Sequence, residues 1–162
     1  MIMAVSAISF FTSCEKDNGG NTNGEGKPSI EWASNPEFAT VNIDNDLDAT
    51  MIVKAPAGIK TFIVEVDSDE LAASLNMMGI TTTSLDLIND KTVIGILAMV
   101  TDNALPTGDA LLGKTEVTFS LTTLVKMIPI LAENGTEHTF TLSLSDNDGN
   151  SLTQKCTFKV VK

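Results

Sequence analysis

The chain has no arginine and no tyrosine, and its 162 residues include one histidine, one tryptophan and two cysteines. All ten basic residues are lysines, so the planar guanidinium that grips a phosphate in two places is missing. Twenty-one acidic residues bring the net charge to −11. Because a polyanion is bound by cations that displace its counterions, nucleic acid and bare anionic lipid are excluded as partners.

Catalytic motifs are also missing from the sequence. None of the patterns GxSxG, HExxH, GxxxxGK[ST] and GxGxxG occurs. A zinc site needs three or four nitrogen or sulfur ligands, and His138 and Cys156 are too few. We interpret His138 as an ordinary strand-edge residue and Cys156 as a small buried apolar group. The sequence therefore predicts a protein that is not an enzyme.

The N-terminal 13 residues carry no charge. The apolar run from residue 2 to residue 11 is too short to cross a bilayer and has the length of a signal-peptide core. Thr12 and Ser13 are the small residues expected before a cleavage site. No basic residue precedes the run, which favours a start upstream of Met1. We predict a lipoprotein signal peptide over residues 1–13; the alternative is a buried first strand that ends in cysteine.

A polar segment follows directly. Residues 14–27 contain no apolar residue apart from Cys14 itself and are rich in glycine and asparagine. Such a segment buries too little surface to offset its ordering entropy. Residues 14–28 are therefore predicted to be a flexible tether.

The sequence Thr12-Ser13-Cys14, followed by Glu15 to Asn18, resembles the lipobox and export signal of Bacteroidota-type outer-membrane lipoproteins. Phe11 departs from the leucine or valine usual at that position. The resemblance implies that Cys14 is acylated and becomes the first mature residue. It also implies a protein anchored by lipid in the outer membrane and facing outward.

The remaining chain carries mostly strand signals. Alternating or apolar runs between turn residues predict seven strands, at 29–32, 38–43, 49–55, 59–66, 116–121, 138–145 and 152–160. Pro56-Ala57-Gly58 predicts a hairpin between the third and fourth strands, and Asp148-Gly149 predicts one between the last two.

Helical periodicity is confined to the middle of the chain. One helix is predicted after an N-cap at Asp67 or Ser68, ending at Gly79. A second is predicted over residues 91–100 after Asn89 or Asp90, and a brief turn over 124–131, interrupted by Pro129. The neighbouring acids Glu65, Asp67, Asp69 and Glu70 are interpreted as helix-capping residues rather than as a glycosidase pair.

Strand spacing and turns in 49–68, 105–125 and 138–160 also resemble the immunoglobulin-like domains of surface lipoproteins in the same bacterial group. The fold class predicted is all-β: an immunoglobulin-like antiparallel β-sandwich over residues 29–162 with a short helical insertion. This resemblance implies fold and location and says nothing about activity.

Two candidate ligand sites follow from residue chemistry. Asp44, Asp46 and Asp48 alternate in one loop and predict a possible calcium site, with solvated turn acids as the alternative. Trp32 is the remaining candidate for an aromatic ring that stacks on a sugar, because the phenylalanines of the strands are predicted to point inward. No other cofactor is expected. The predicted function is a surface-anchored binding, adhesion or spacer module, and its partner at the cell surface is expected to be a glycan or a protein. The alternative is an accessory glycan-binding protein of a polysaccharide-uptake system.

Overall fold

The computed structural model describes residues 26–33, 40–43 and 47–162. Within these residues lie eight strands, three α-helices and one 3-10 turn. The strands are β1 Ser29–Trp32, β2 Thr40–Ile43, β3 Thr50–Lys54, β4 Ile59–Asp67, β5 Ser84–Asp86, β6 Glu116–Ser120, β7 Glu137–Asp146 and β8 Ser151–Val160. The helices are α1 Asp69–Met77, α2 Lys91–Val100 and α3 Thr122–Leu131, and the 3-10 turn is Gly108–Ala110.

The strands form two sheets. The smaller sheet has the order β1-β3-β6 and is antiparallel throughout. The larger sheet has the order β2-β8-β7-β4-β5, and in it β2 runs parallel to β8 while the other neighbours are antiparallel. Among the described strands, the first therefore lies in the small sheet, the second lies at the edge of the large sheet, and β3 lies in the small sheet again.

The inner faces of the two sheets pack on each other through aromatic side chains. Phe62 of β4 meets Phe119 of β6 edge to face, with ring centroids 5.3 Å apart. Trp32 of β1 meets Phe158 of β8 in the same way at 6.1 Å. Such pairs add about 0.5–1.5 kcal/mol beyond the area they bury. They hold the sheets in face-to-face contact.

The terminal hairpin is confirmed, since β7 pairs with β8 around a turn at Asp146 to Asn150. In this hairpin Leu142, Leu144, Cys156, Phe158 and Val160 are buried, and Phe140 is half-buried. Burial alone would raise the pKa of Asp146, but hydrogen bonds from Asn150, Asp148 and Gly149 outweigh it and hold that pKa below its usual value. The turn is therefore built on a buried carboxylate.

The predicted hairpin at residues 49–66 is wrong. β3 pairs with β1 and β6 in the small sheet, whereas β4 pairs with β5 and β7 in the large one. The turn itself exists: the Gly58 N–H donates to the Ala55 carbonyl at 2.7 Å, and Gly58 has φ +86°. A Cβ at Gly58 would stand 2.9 Å from the Gly113 carbonyl oxygen. The turn residues specified a chain reversal without specifying which strands pair.

The helices begin and end where local chemistry directs. Ser68 is the N-cap of α1, and its hydroxyl accepts from the Leu71 N–H. At the other end Gly79 has φ +91° and donates to Asn76, while Ile80 donates to Leu75, which is the Schellman arrangement. Asp90 caps α2 by accepting from the N–H groups of residues 92 and 93.

The all-β prediction is wrong, because the described part of the chain is mixed α/β with 25% helix and 38% strand. The helices are not an insertion beside an immunoglobulin-like sandwich. Leu71 of α1, Leu97 of α2 and Ile128 of α3 are buried in the same core cluster as the strand residues. Since each helix has an apolar face that needs covering, the helices pack on the sheets and become part of the core.

Candidate functional site

An apolar cavity of about 160 Å³ lies between the three helices and the two sheets. The helices supply apolar side chains at three-to-four spacing, and the strands supply side chains from both sheets. The main contributors are Leu71, Leu75 and Met78 from α1, Ile96, Leu97 and Val100 from α2, Leu124, Met127, Ile128 and Leu131 from α3, and Met51, Phe119, Phe140 and Phe158 from the sheets.

Polar groups are nearly absent from the cavity wall. Among the lining residues only Ser74 carries a hydroxyl, and that hydroxyl donates to the Glu70 carbonyl at 3.0 Å. Cys156 contributes a thiol whose pKa burial raises to about 12, so it is neutral at physiological pH. No lining residue carries a charge. A ligand inside would therefore meet hydrocarbon and sulfur atoms.

The most exposed residues of the cavity wall lie at the C-terminal ends of two helices. Met78, the C-cap of α1, is 38% exposed, and Leu131, the last residue of α3, is 40% exposed. The other lining residues are buried or half-buried. Val100, the last residue of α2, also lines the cavity, and a Cβ at Gly79 would stand 3.9 Å from Cδ1 of Ile96, in the middle of α2.

Three further apolar side chains project from the last turns of the same helices into solvent. Met77 of α1 is 81% exposed, Met99 of α2 is 75% exposed and Ile130 of α3 is 81% exposed. None of them lines the cavity. The ends of all three helices thus carry large apolar side chains in contact with water, a feature associated with binding surfaces.

His138 lies in β7 with 1% of its surface exposed. Its Nδ1 is 2.8 Å from Ser68 Oγ, and its Nε2 is 2.8 Å from Thr136 Oγ1 and 3.8 Å from a carboxylate oxygen of Glu70. His138 lies at the start of β7, as predicted: it pairs with Phe158 of β8, and the pairing of β7 with β4 ends at Thr139.

The direction of these hydrogen bonds follows from the donors available. Thr136 Oγ1 donates its one proton to the Glu133 carbonyl at 2.7 Å, so it accepts from Nε2 of His138. In the neutral imidazole Nδ1 is then the acceptor, and it receives the Ser68 hydroxyl proton. We infer that this series of hydrogen bonds holds the start of α1 against β7.

Trp32, the predicted sugar platform, is half-buried and packs edge-on against Phe158. The other aromatic residues within the described ranges, Phe62, Phe119, Phe140 and Phe158, are buried or half-buried as well. Trp32 therefore supplies part of the core rather than a fully open ring face. Glycan binding at this residue stays a prediction.

The predicted calcium ligands are described only in part. Asp44, Asp46 and the predicted anchor Cys14 lie outside the described residues. Asp48 is exposed, and its Oδ1 accepts from the hydroxyls of Thr50 at 2.7 Å and Thr122 at 3.3 Å. Over residues 26–33, 40–43 and 47–162 no cluster of three or more metal-binding side chains occurs. Calcium binding stays a prediction.

The cavity was not predicted from the sequence. Its walls come from segments that are far apart in the chain, and the same residues were interpreted as ordinary core. One signal was available: methionines concentrate in the helical segments, at positions 77, 78, 99 and 127. Flexible, polarizable methionine is common at adaptable apolar binding surfaces.

No known family model matches the chain, and no curated protein matches it. None of the helices within the described part of the chain is long and apolar enough to cross a bilayer.

Proposed function

We propose that this protein binds a small apolar molecule in the helix-sheet cavity and does no chemistry on it. The observation that carries the proposal is an uncharged cavity of about 160 Å³ whose most exposed lining residues are Met78 and Leu131, where we place its opening. Ligand sites are concave and mostly apolar, and the best-formed apolar pocket is the default candidate. We further propose that the protein acts as a surface-anchored binding module, held in the outer membrane through Cys14.

The volume defines the size of the ligand. An engineered apolar cavity of about 150 Å³ in another protein stays dry and takes up benzene or xenon. A group of about six carbons is therefore the upper limit here, with any remainder of the ligand outside the mouth. Burial of six methylenes is worth about 5 kcal/mol at about 0.8 kcal/mol each, before the costs of association. The expected dissociation constant for such a fragment is near millimolar.

Methionine methyl groups provide the test. Met51, Met78 and Met127 line the cavity, whereas Met77 and Met99 do not. Titration of ¹³C-methyl-labelled protein with benzene should shift the first three methyl resonances through ring-current effects and leave the other two in place. Saturating benzene that moves none of the three lining methyls contradicts the proposal.

A matched pair of variants tests the position of the mouth. Leu131→Trp places a large ring at the opening, whereas Ile130→Trp adds the same ring one residue away, at a position that does not line the cavity. We expect the first variant to abolish the benzene-induced shifts and the second to retain them. Equal binding by both variants contradicts this placement of the mouth.

The anchor is tested separately. Because the proposed acyl group is attached at Cys14, Cys14→Ser should move the protein from the membrane fraction to the soluble fraction while benzene binding is unchanged. A variant that still partitions with membranes in high salt contradicts anchoring by Cys14 and leaves the cavity proposal standing.

A further inference from the structure

We infer that Met78 is a modification site, at which a peroxide oxidises the thioether to a sulfoxide and so weakens the binding of apolar ligands in the cavity. This inference rests on the proposed function, because it concerns the regulation of the same cavity. It is carried by the position of Met78, which is part of the cavity wall and is also open to solvent.

Met78 differs in this respect from the other methionines that the structure describes. Met77 and Met99 are more exposed than Met78, but neither lines the cavity. Met51 and Met127 do line it, but Met51 is 1% exposed and Met127 is half-buried. Met78 lines the cavity and is 38% exposed. A peroxide in solution therefore reaches this lining thioether more readily than the other two.

Backbone hydrogen bonds fix Met78 at the end of α1. Its N–H donates to the Leu75 carbonyl at 3.0 Å. In the Schellman turn that follows, the Ile80 N–H donates to the same carbonyl at 2.9 Å, and Ile80 itself is 2% exposed. The backbone of Met78 therefore cannot move out of the wall without loss of these bonds, and only its side chain is free to turn.

The oxidation needs only the thioether and the peroxide. A lone pair of the sulfur attacks the terminal peroxide oxygen, the O–O bond breaks and an S–O bond forms. The two electrons that the sulfur loses pass to the departing oxygen. This oxygen takes up the proton of the transferred hydroxyl and leaves as water, or as an alcohol if the oxidant is an organic hydroperoxide. The product is methionine sulfoxide.

A sulfoxide does not suit this wall, because oxidation converts a flexible apolar side chain into a polar one. The one hydroxyl among the lining side chains, on Ser74, already donates to the Glu70 carbonyl, and the Cys156 thiol is a weak donor. A polar group buried without a partner is unfavourable, so the oxidised side chain turns towards water. It then no longer covers the ligand, and the apolar contact on which binding depends is lost.

Peroxide treatment of the purified full chain tests the inference. All proteins carry Cys14→Ser, because a second thiol would add reactions of its own, whereas burial raises the pKa of the Cys156 thiol to about 12 and suppresses its oxidation. Mass spectrometry sets the dose of hydrogen peroxide so that Met78 is oxidised while Met51 and Met127 are not. Benzene binding is then measured from the shifts of the Met51 and Met127 methyls. The affinity should fall by about tenfold or more, and tenfold corresponds to about 1.4 kcal/mol.

Two leucine variants separate Met78 from the exposed methionines that lie outside the cavity. Met78→Leu keeps an apolar side chain of similar volume and removes the thioether, so its affinity for benzene should be the same before and after treatment. Met77→Leu with Met99→Leu removes the two most exposed of the described methionines. This double variant should lose affinity after treatment as the parent protein does.

Reduction of the oxidised parent protein provides a further control. The two stereospecific methionine sulfoxide reductases with dithiothreitol return the sulfoxide to the thioether, while the dithiol is oxidised to a disulfide and the oxygen leaves as water. Benzene binding should then recover. A loss that persists after complete reduction of Met78 overturns the inference.

The other possible failures are distinct. If benzene does not bind to the untreated parent protein, the proposed function is wrong and the inference falls with it. If benzene binds and its affinity survives oxidation of Met78, the proposed function stands and the inference is overturned. Oxidation of Met51 or Met127 before Met78, or an equal loss of affinity in the treated Met78→Leu variant, also overturns the inference.

Discussion

Replacement of Ser68 by alanine tests the hydrogen-bond chain that joins α1 to β7. In the wild type the Ser68 hydroxyl accepts from the Leu71 N–H at 3.3 Å and donates to Nδ1 of His138 at 2.8 Å. Alanine removes both bonds. It leaves an imidazole nitrogen without a donor at a position where only 1% of the histidine is exposed.

The expected loss of stability has two parts. Loss of an N-cap hydroxyl costs about 1 kcal/mol. A buried acceptor left without a partner costs about a further 1–3 kcal/mol, because it has lost its hydrogen bonds to water and gains none in the protein. The free energy of unfolding should therefore fall by about 2–4 kcal/mol.

Asp90→Ala is the matched control, because Asp90 caps α2 and its side chain bonds only to the N–H groups of Thr92 and Val93 among the described contacts. This variant should lose about 1 kcal/mol, the value of a cap. Both variants are measured by urea unfolding. The comparison requires that the slope of the free energy of unfolding against urea concentration is the same in both variants and in the wild type. If Ser68→Ala costs no more than Asp90→Ala, the assigned hydrogen-bond chain is refuted.

Three other results are expected. Phe158→Ala should lower the free energy of unfolding by about 3–5 kcal/mol in urea titrations, because the ring is buried between both sheets; a loss below about 1 kcal/mol would contradict that packing. Cys156 should react with iodoacetamide at pH 8 only after unfolding, because burial raises its thiol pKa to about 12; rapid labelling of the native protein in a Cys14→Ser background would show that the thiol is accessible. Asp146→Asn should lower the free energy of unfolding at pH 7, and the difference from the wild type should shrink below about pH 4. The pKa of Asp146 is lower in the folded state than in the unfolded state, so its ionised carboxylate stabilises the fold above the unfolded pKa. That stabilisation is lost as the pH falls through the folded pKa. A deficit independent of pH would argue against an ionised Asp146.

Local signals in the sequence predicted the elements well. α2 and β1 have the predicted bounds, and the α1 cap at Ser68 and the turn at Asp146 to Asn150 were within the expected residues. In these cases the deciding interactions lie within a few residues of each other. A cap, a Schellman glycine or a tight turn is therefore recorded in contiguous sequence.

Pairing and layer composition were predicted poorly, because they depend on distant residues. The run 59–66 contains nothing that distinguishes β3 from β7 as its neighbour, and the choice is made by residues some eighty positions away. The short strand β5 was missed, since three residues give no period to recognise. The cavity depends on the same long-range packing, and so does the burial of His138.

The position of β8 has a consequence for when the protein can fold. This last strand lies between β2 and β7, and it supplies Cys156, Phe158 and Val160 to the interior. The large sheet cannot become continuous until the final residues of the chain are free to join it, and the parallel contact with β2 links residues more than a hundred positions apart. Contacts of this range close slowly, typically in milliseconds to seconds. In a chain that is emerging from a ribosome or passing through a membrane channel, the large sheet therefore remains incomplete until residues 151–160 are free, and a version truncated after residue 150 should fail to fold.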